Sequence, residues 1–294
     1  MEAERMKDLV FKASILHEAL PYIRRFHGKI FVLKYGGHAM VDPLLRDSFA
    51  RDVTLMKLIG IHPVVVHGGG PQIDSMLSQL GVVSERIDGL RVTDEKTMEI
   101  VEMVLAGKVN SEIVSLMCRA GARAVGLSGK DDSFLLGQKI ERMRTKAGRE
   151  VDPGLVGRVI QVRTGVLTKL VEGGFVPVIA PIAVDEEGRS LNVNADTVAG
   201  AVAAALKAEK LLLMTDIDGV RGPDGTIASS MRAADVRERI AEGVISGGMI
   251  PKVQSALEAL ATGVHKVHVV DGRVQHAALL EVFTDRGIGT EILE

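Results

Sequence analysis

With 294 residues the chain is long enough to bury a large core, as one big α/β domain or as two lobes. Apolar residues make up 46% and charged residues 25%, ordinary for a globular protein in water, and a net charge of −2 without a basic block speaks against nucleic acid or an anionic membrane surface as a partner. Cys118 is the single cysteine, which excludes internal disulfides and thiolate metal clusters, and 3% aromatics without Trp make stacking on bases an unsuitable binding device. No run reaches transmembrane length and no signal-peptide block opens the chain, so a reducing cytoplasm is the expected setting.

Met6, Leu9, Val10, Ala13, Leu16, Leu20 and Ile23 recur at three- and four-residue spacing and predict an amphipathic helix over residues 5–26. It precedes the first strand and has no obvious place in an α/β core. It reads equally as a helix packed on its own domain or as an arm docked on another subunit.

Ile30 to Leu33 form a short buried-strand signal that stops at Lys34, with Gly36-Gly37 just behind. A lysine at the carboxyl end of a strand, followed by paired glycines, sets a cation beside exposed backbone N–H groups, and glycine lets the main chain approach a ligand closely. Taken alone, the run reads better as an ordinary strand ending in a glycine turn. Its weight comes from recurrence. After a helix over about 44–59, the strand Pro63 to Val66 runs into His67-Gly68-Gly69-Gly70-Pro71 and a helix over about 72–80. Strand, glycines and helix N-terminus are a usual anion-holding order. No Gly-Lys-Ser/Thr follows, and G-x-G-x-x-G is not spelled, so neither a Walker loop nor a dinucleotide fingerprint is present. His67 reads as a core or turn histidine rather than a base.

In Gly89-Leu90-Arg91-Val92-Thr93, Thr93 or Asp94 caps a helix predicted over 95–105, and Arg91 is either a two-pronged carboxylate clamp or a surface arginine. A strand at 124–127 leads to Ser128-Gly129. Residues 134–163, richer in charge and glycine, read as hairpins inserted at the rim, with β-like runs at 134–140 and 159–162. A helix at 168–172 and a strand at 176–180 follow. Next comes Leu191-Asn-Val-Asn-Ala-Asp196, where Asn192, Asn194 and Asp196 cluster at the mouth of an alanine-rich helix predicted over 197–207. Capping accounts for one of the three.

The strand at 211–214 ends in Thr215-Asp216-Ile217-Asp218-Gly219-Val220, and Pro223-Asp224-Gly225 reads as a turn. Gly247-Gly248 then lead into a helix with Pro251 suited to its first position and Lys252 in its first turn. A cation there opposes the helix dipole, so the helix gives no reason for it, whereas a bound anion would. A strand at 266–270, a turn at Asp271-Gly272, a helix at 277–283 and a strand at 290–293 close the chain. The βα order implies a mostly parallel sheet covered on both faces.

The polar inventory is thus two lysines at glycine-rich turns, glycine N–H groups at Gly37 and Gly69, and the carboxylates of Asp196 and Asp216. No Ser-His-Asp pattern, H-E-x-x-H or Cys cluster accompanies them. Phosphoryl transfer fits such a set, because it depends on positioning and on offsetting charge. A carboxylate acceptor is already ionised near neutrality and needs no general base.

VLKYGGHAM, VVVHGGGPQ, GLRVT, LNVNADT, MTDIDGV and GGMIPKV, in this order and spacing, resemble the amino acid kinase family from Lys29 to the C-terminus, and within it the branch that phosphorylates N-acetyl-L-glutamate. The resemblance implies an open αβα sandwich, with an N-terminal lobe (28–190) for the acyl acceptor, a C-terminal lobe (191–294) for MgATP, and a helical arm (1–27). It implies that Lys34 and Lys252 stabilise the transition state from opposite sides, that Asp196 orients both, and that the N–H groups of Gly37 and Gly69 hold the moving phosphoryl group. Gly69, Gly70, Arg91 and Asn192 would grip the acceptor, Arg91 on its α-carboxylate. Thr215, Asp216, Gly219 and Val220 would face the nucleotide, with Mg²⁺ arriving on ATP rather than in a dedicated protein cage.

The arm, with His276-Ala-Ala-Leu-Leu-Glu281 and Gly287-Ile-Gly289-Thr290, is similar to the arginine-inhibited, hexameric branch, a trimer of dimers joined by N-terminal helices. Glu281 and Gly289 are then candidate regulatory residues, and a PII-type protein a candidate regulator. Sister kinases for glutamate, aspartate, carbamate or UMP share the fold and lysines, and a catalytically silent arginine sensor is the alternative outside catalysis. Retention of both lysines and Asp196 argues against the latter.

Overall fold

The computed structural model describes residues 2–87, 89–145, 148–222, 225–245 and 249–294. Eight strands form the main sheet, in the spatial order Ser230–Arg232, Thr290–Leu293, Lys266–Asp271, Lys210–Thr215, Ile30–Tyr35, His62–His67, Val176–Ala180 and Ala124–Ser128. Every neighbouring pair is parallel except Lys266–Asp271 with Thr290–Leu293. Central strands of a parallel sheet are covered on both faces, which is why they read as unbroken apolar runs. Phe31 and Leu33 belong to one core with Phe49, Val53 and Met117, while Val32 belongs to the other with Val198, Val202 and Val253. Helices Pro43–Leu58 and Asn110–Arg119 thus cover one face, and Ala195–Ala205 and Met249–Ala261 the other. This is the αβα sandwich that the sequence predicts.

A second, four-stranded sheet stands at the rim, in the order Ser190–Asn192, Ile182–Val184, Leu135–Lys139, Gly157–Val162. The predicted hairpins are its outer pair, together with the short ladder of Met143–Arg144 and Glu150–Val151.

The geometry that positions the site is the switch in strand order. Ile30–Tyr35 leads through Pro43–Leu58 to His62–His67 on one side, while Lys210–Thr215 leads to strands on the other. These two strands are parallel neighbours, with Lys34 opposite Leu213. A crevice opens where the carboxyl ends of two such strands diverge, and that is where doubly wound sheets bind ligands.

Three stretches differ from expectation. The helix capped by Asp94 is α-helical only from Glu95 to Glu102; Met103–Val109 is π-helical and Asn110–Arg119 resumes the α-helix. A wider turn shifts the apolar repeat, which hides the continuation from a 3.6-residue reading. The strand Ser230–Arg232 and helix Ala233–Ala241 were also unforeseen, because among their residues only Met231, Ala233 and Val236 are buried. The last long helix is described from Met249, which makes Pro251 its third residue and Lys252 its fourth. Gly247-Gly248 and the Pro223-Asp224 half of the predicted turn lie outside the described residues.

The N-terminal helix runs from Glu2 to Phe26. Its last turns pack on the chain: Phe26 is buried edge-on against Phe31, and Tyr22 meets Phe283 and donates to Asp285. Further out, Met6, Leu9, Val10, Phe11, Leu16 and Leu20 are all exposed. The apolar stripe is present, but the chain itself does not cover it.

Candidate functional site

At the end of the first strand, Lys34 projects into the crevice, and its Nζ lies 3.1 Å from Asp196 Oδ1. Asp196 is the second residue of the helix Ala195–Ala205, whose cap is Asn194: that side chain accepts the N–H of Asp196 at 2.7 Å and of Thr197 at 3.4 Å. The polar cluster of the sequence is therefore divided. Asn194 is structural, Asp196 holds a lysine, and Asn192 points elsewhere.

Behind Lys34, Gly37 adopts φ +69°, a left-handed conformation that glycine takes without strain. The next residue, His38, donates its backbone N–H to Asp216 Oδ1 at 2.7 Å. Lys252 comes from the opposite helix, Met249–Ala261, into the same field. Burial lowers its pKa, Asp216 and Asp196 oppose that shift, and Lys34 and Arg273 add to it. The structure thus brings both predicted lysines and both predicted aspartates to one crevice.

On the other side, Gly68 to Gly70 carry the chain from the strand into the helix Gly70–Gln79. A side chain at Gly69 would collide with Leu105, a residue of the π-helical stretch. Arg91 is buried, not on the surface. Its guanidinium donates to Asp74 Oδ1 at 2.6 Å, to Ser84 Oγ at 3.1 Å and to the Gly70 carbonyl at 3.4 Å. Burial pushes the Asp74 carboxyl up, but Arg91 and then Arg86 outweigh this and hold it below the usual range. Asn192 donates to Thr93 Oγ1 at 3.1 Å, and Thr93 in turn donates to the Arg91 carbonyl at 2.8 Å.

An open cleft of about 240 Å³ joins these groups. Lys34, Gly37 and Asp196 line one end, and Gly69, Gly70, Arg91 and Asn192 the other, with Ile73, Leu105 and Val156 as apolar wall. Asp74, Ser84 and Leu105 escaped the sequence reading, and Thr93 was read only as a candidate cap, a role that Asp94 fills. Each matters through a partner that the fold supplies.

His67 is fully buried between the Gly68 carbonyl, 2.8 Å from Nδ1, and the Asn110 side-chain amide, 3.1 Å from Nε2. Burial pushes its pKa down to about 4, so it is a neutral core histidine and not a base. From the Thr215–Val220 turn, Asp216 reaches the glycine loop. Thr215 is buried and its carbonyl accepts from Gly272 N, Gly219 sits at φ +139° against Ile227 and Thr290, and Val220 N donates to Thr290 Oγ1.

A second cavity, about 340 Å³, lies between the end of the N-terminal helix and residues 281–291. Tyr22, Lys210, Lys266, Glu281 and Glu291 line it. Burial acts to raise the Glu281 carboxyl, yet His268 Nδ1 at 2.6 Å and the N–H groups of Ile288 and Gly289 at 2.8 and 2.9 Å hold it below the usual range.

Residues 29–271 match the amino acid kinase family. Acetylglutamate kinase of Geotalea uraniireducens (strain Rf4) is 57% identical over 291 residues, 98% of this chain and 100% of that one. Acetylglutamate kinase of Syntrophus aciditrophicus (strain SB) is 56% identical over 286 residues, 96% and 97% of the two chains. Among solved structures, N-acetylglutamate synthase from Neisseria gonorrhoeae, complexed with coenzyme A and N-acetyl-glutamate, superimposes with a TM-score of 0.83 at 28% identity over 96% of this chain. The chain spans 63% of that synthase's length.

Proposed function

The chain belongs to the amino acid kinase family, and from that premise we propose that it transfers the γ-phosphoryl group of ATP to the side-chain carboxylate of N-acetyl-L-glutamate, giving N-acetyl-L-glutamyl 5-phosphate in arginine biosynthesis. The observation that carries the reading is the Lys34–Asp196 pair in a cleft that the buried Arg91 also lines, with Lys252 near enough for both charges to act on it. Two relatives with near-complete coverage, both acetylglutamate kinases, support the substrate.

The acceptor carboxylate is ionised at neutral pH and attacks without a base. Arg91 and Asn192 hold the acceptor's far end, and Gly69 and Gly70 let the main chain approach it. Lys34, held by Asp196, and Lys252 offset charge on the transferred group and on the leaving phosphate, aided by the N–H groups of Gly37 and Gly69. The turn from Thr215 to Val220 faces ATP. Magnesium would arrive on ATP, carried mainly by phosphate oxygens and water rather than by a dedicated protein cage. Magnesium bound there would offset phosphate charge.

The division of labour follows the lobes: residues 28–190 bind the acceptor, and residues 191–294 bind the nucleotide. L-Arginine is the proposed inhibitor, in the cavity beside Tyr22, where Lys210 and Lys266 suit its carboxylate and Glu281 and Glu291 its cationic groups. The uncovered stripe of the arm is the proposed contact of a hexamer, a trimer of dimers, since one patch meets its own copy in a closed two-fold interface. A PII-type regulator and a cytoplasmic setting belong to the same reading. No helix among the described residues is long and apolar enough to cross a membrane.

The test is incubation with ATP, Mg²⁺ and candidate acids, trapping acyl phosphate with hydroxylamine. Signal with N-acetylglutamate supports the assignment; signal with unacetylated glutamate alone overturns it.

A further inference from the structure

The sequence assigns Asp216 to the turn facing the nucleotide, but its carboxylate lies against the glycine loop of the neighbouring strand. We propose that Asp216 is a positioning residue for the transfer: it clamps the Gly36–His38 turn from across the crevice. The proposal rests on the kinase reading above.

The geometry of the loop carries it. Asp216 follows the strand Lys210–Thr215, and the glycine loop follows its parallel neighbour Ile30–Tyr35. His38 N donates to Asp216 Oδ1 at 2.7 Å, a contact between residues 178 positions apart. A Cβ on Gly37 would lie 2.5 Å from Oδ1 and 2.7 Å from Oδ2, so the carboxylate rests directly on that glycine. Fixing the His38 peptide fixes the plane next to it in a two-glycine turn, and that neighbour carries the Gly37 N–H. A turn of glycines is otherwise the least constrained part of the backbone, whereas a phosphoryl-binding donor must be aimed before the reaction.

The experiment compares the full-length wild type, Asp216→Asn and Asp216→Ala. Asparagine keeps an oxygen for the His38 N–H but removes the charge, while alanine removes both. Amide hydrogen exchange at His38 is expected to speed up at least about tenfold in Asp216→Ala and to stay near wild type in Asp216→Asn. Turnover is expected to fall about thirtyfold or more in Asp216→Ala with KM for the acceptor nearly unchanged, as for loss of a group acting in the transition state. In Asp216→Asn, which keeps an acceptor for the His38 N–H, kcat should largely recover. His38 exchange unchanged in Asp216→Ala, or kcat in Asp216→Asn no higher than in Asp216→Ala, overturns the proposal. The exchange measurement needs no substrate, so it stands even if wild type fails to phosphorylate N-acetylglutamate, an outcome that would overturn the kinase reading instead.

Discussion

Arg91 and Asp74 form a tight ion pair beside Gly70: guanidinium and carboxylate stand 2.6 Å apart, the arginine side chain 5% exposed and the aspartate 52%. Asp74 and Ser84 each take one terminal nitrogen of Arg91 and set the plane of the fork before any ligand arrives. Lysine would keep the charge and lose that plane. Arg91→Lys is therefore expected to raise KM for the acceptor about tenfold or more, the worth of a charge-assisted bond, with KM for ATP unchanged. Steady-state kinetics in both substrates decides it, and a shift confined to ATP would move Arg91 to the nucleotide.

Lys34→Ala and Lys252→Ala should lower kcat far more than they weaken binding. Removing one preorganised transition-state donor costs about 3–4 kcal/mol, or roughly a hundred- to thousandfold in rate. Near wild-type kcat in either variant, with circular dichroism showing an intact fold, would remove that lysine from the mechanism.

His67 supplies a pH dependence of stability. Its folded pKa of about 4 lies below the ordinary value of 6.5, so the unfolded chain binds the extra proton between them. The stabilisation is fully present above about pH 6.5 and is lost as pH falls toward 4, amounting to about 2 kcal/mol between pH 7 and pH 5. Burial lowers His62 as well, which adds to the same slope. Urea unfolding at both pH values should show a smaller loss in His67→Asn than in wild type. Equal losses would mean that His67 is not the group responsible.

Gly37 and Gly28 separate backbone strain from site geometry. Both have left-handed φ, +69° and +75°, but a Cβ on Gly28 meets open space whereas one on Gly37 meets Asp216. Each alanine variant should lose roughly 1–2 kcal/mol of stability from the conformation alone. Only Gly37→Ala should also lose turnover, by about tenfold or more, as for a misaimed donor. Equal turnover in the two variants would show that the contact with Asp216 does not matter to the reaction.

For the arm, the structure dictates where a deletion must stop. Phe26 is a core residue against Phe31 and Tyr22 reaches Asp285, so removing residues 1–20 takes away the exposed stripe and leaves the packing intact. Light scattering is expected to show dimers in place of hexamers, and activity to become insensitive to arginine. A truncated protein that stays hexameric with unchanged inhibition would sever the arm from both properties.

What the sequence determined by itself was the set of buried strands and the residues at their carboxyl ends. A strand covered on both faces must be apolar throughout, so the runs Ile30–Leu33, Val64–Val66 and Leu211–Met214 are unmistakable, and the lysine, glycines and aspartate that break them stand out. That one of Asn192, Asn194 and Asp196 caps a helix, and that His67 is a core or turn histidine rather than a base, were legible for local reasons; which of the three is the cap was not.

The rest needed the tertiary structure. The π-helical stretch that carries Leu105 to Gly69 breaks the repeat by which helices are read, and the segment 230–241 buries too few side chains to announce itself. Asp74 beside Arg91 and Asp216 beneath Gly37 are polar residues whose meaning lies wholly in their partners, 17 and 178 positions apart for the bonds to Arg91 and His38. Local preference fixes which residues end a strand. Only the packing of neighbouring strands brings the ends of Ile30–Tyr35 and Lys210–Thr215 together, and an electrostatic contact has no signature until both of its charges occupy the same space.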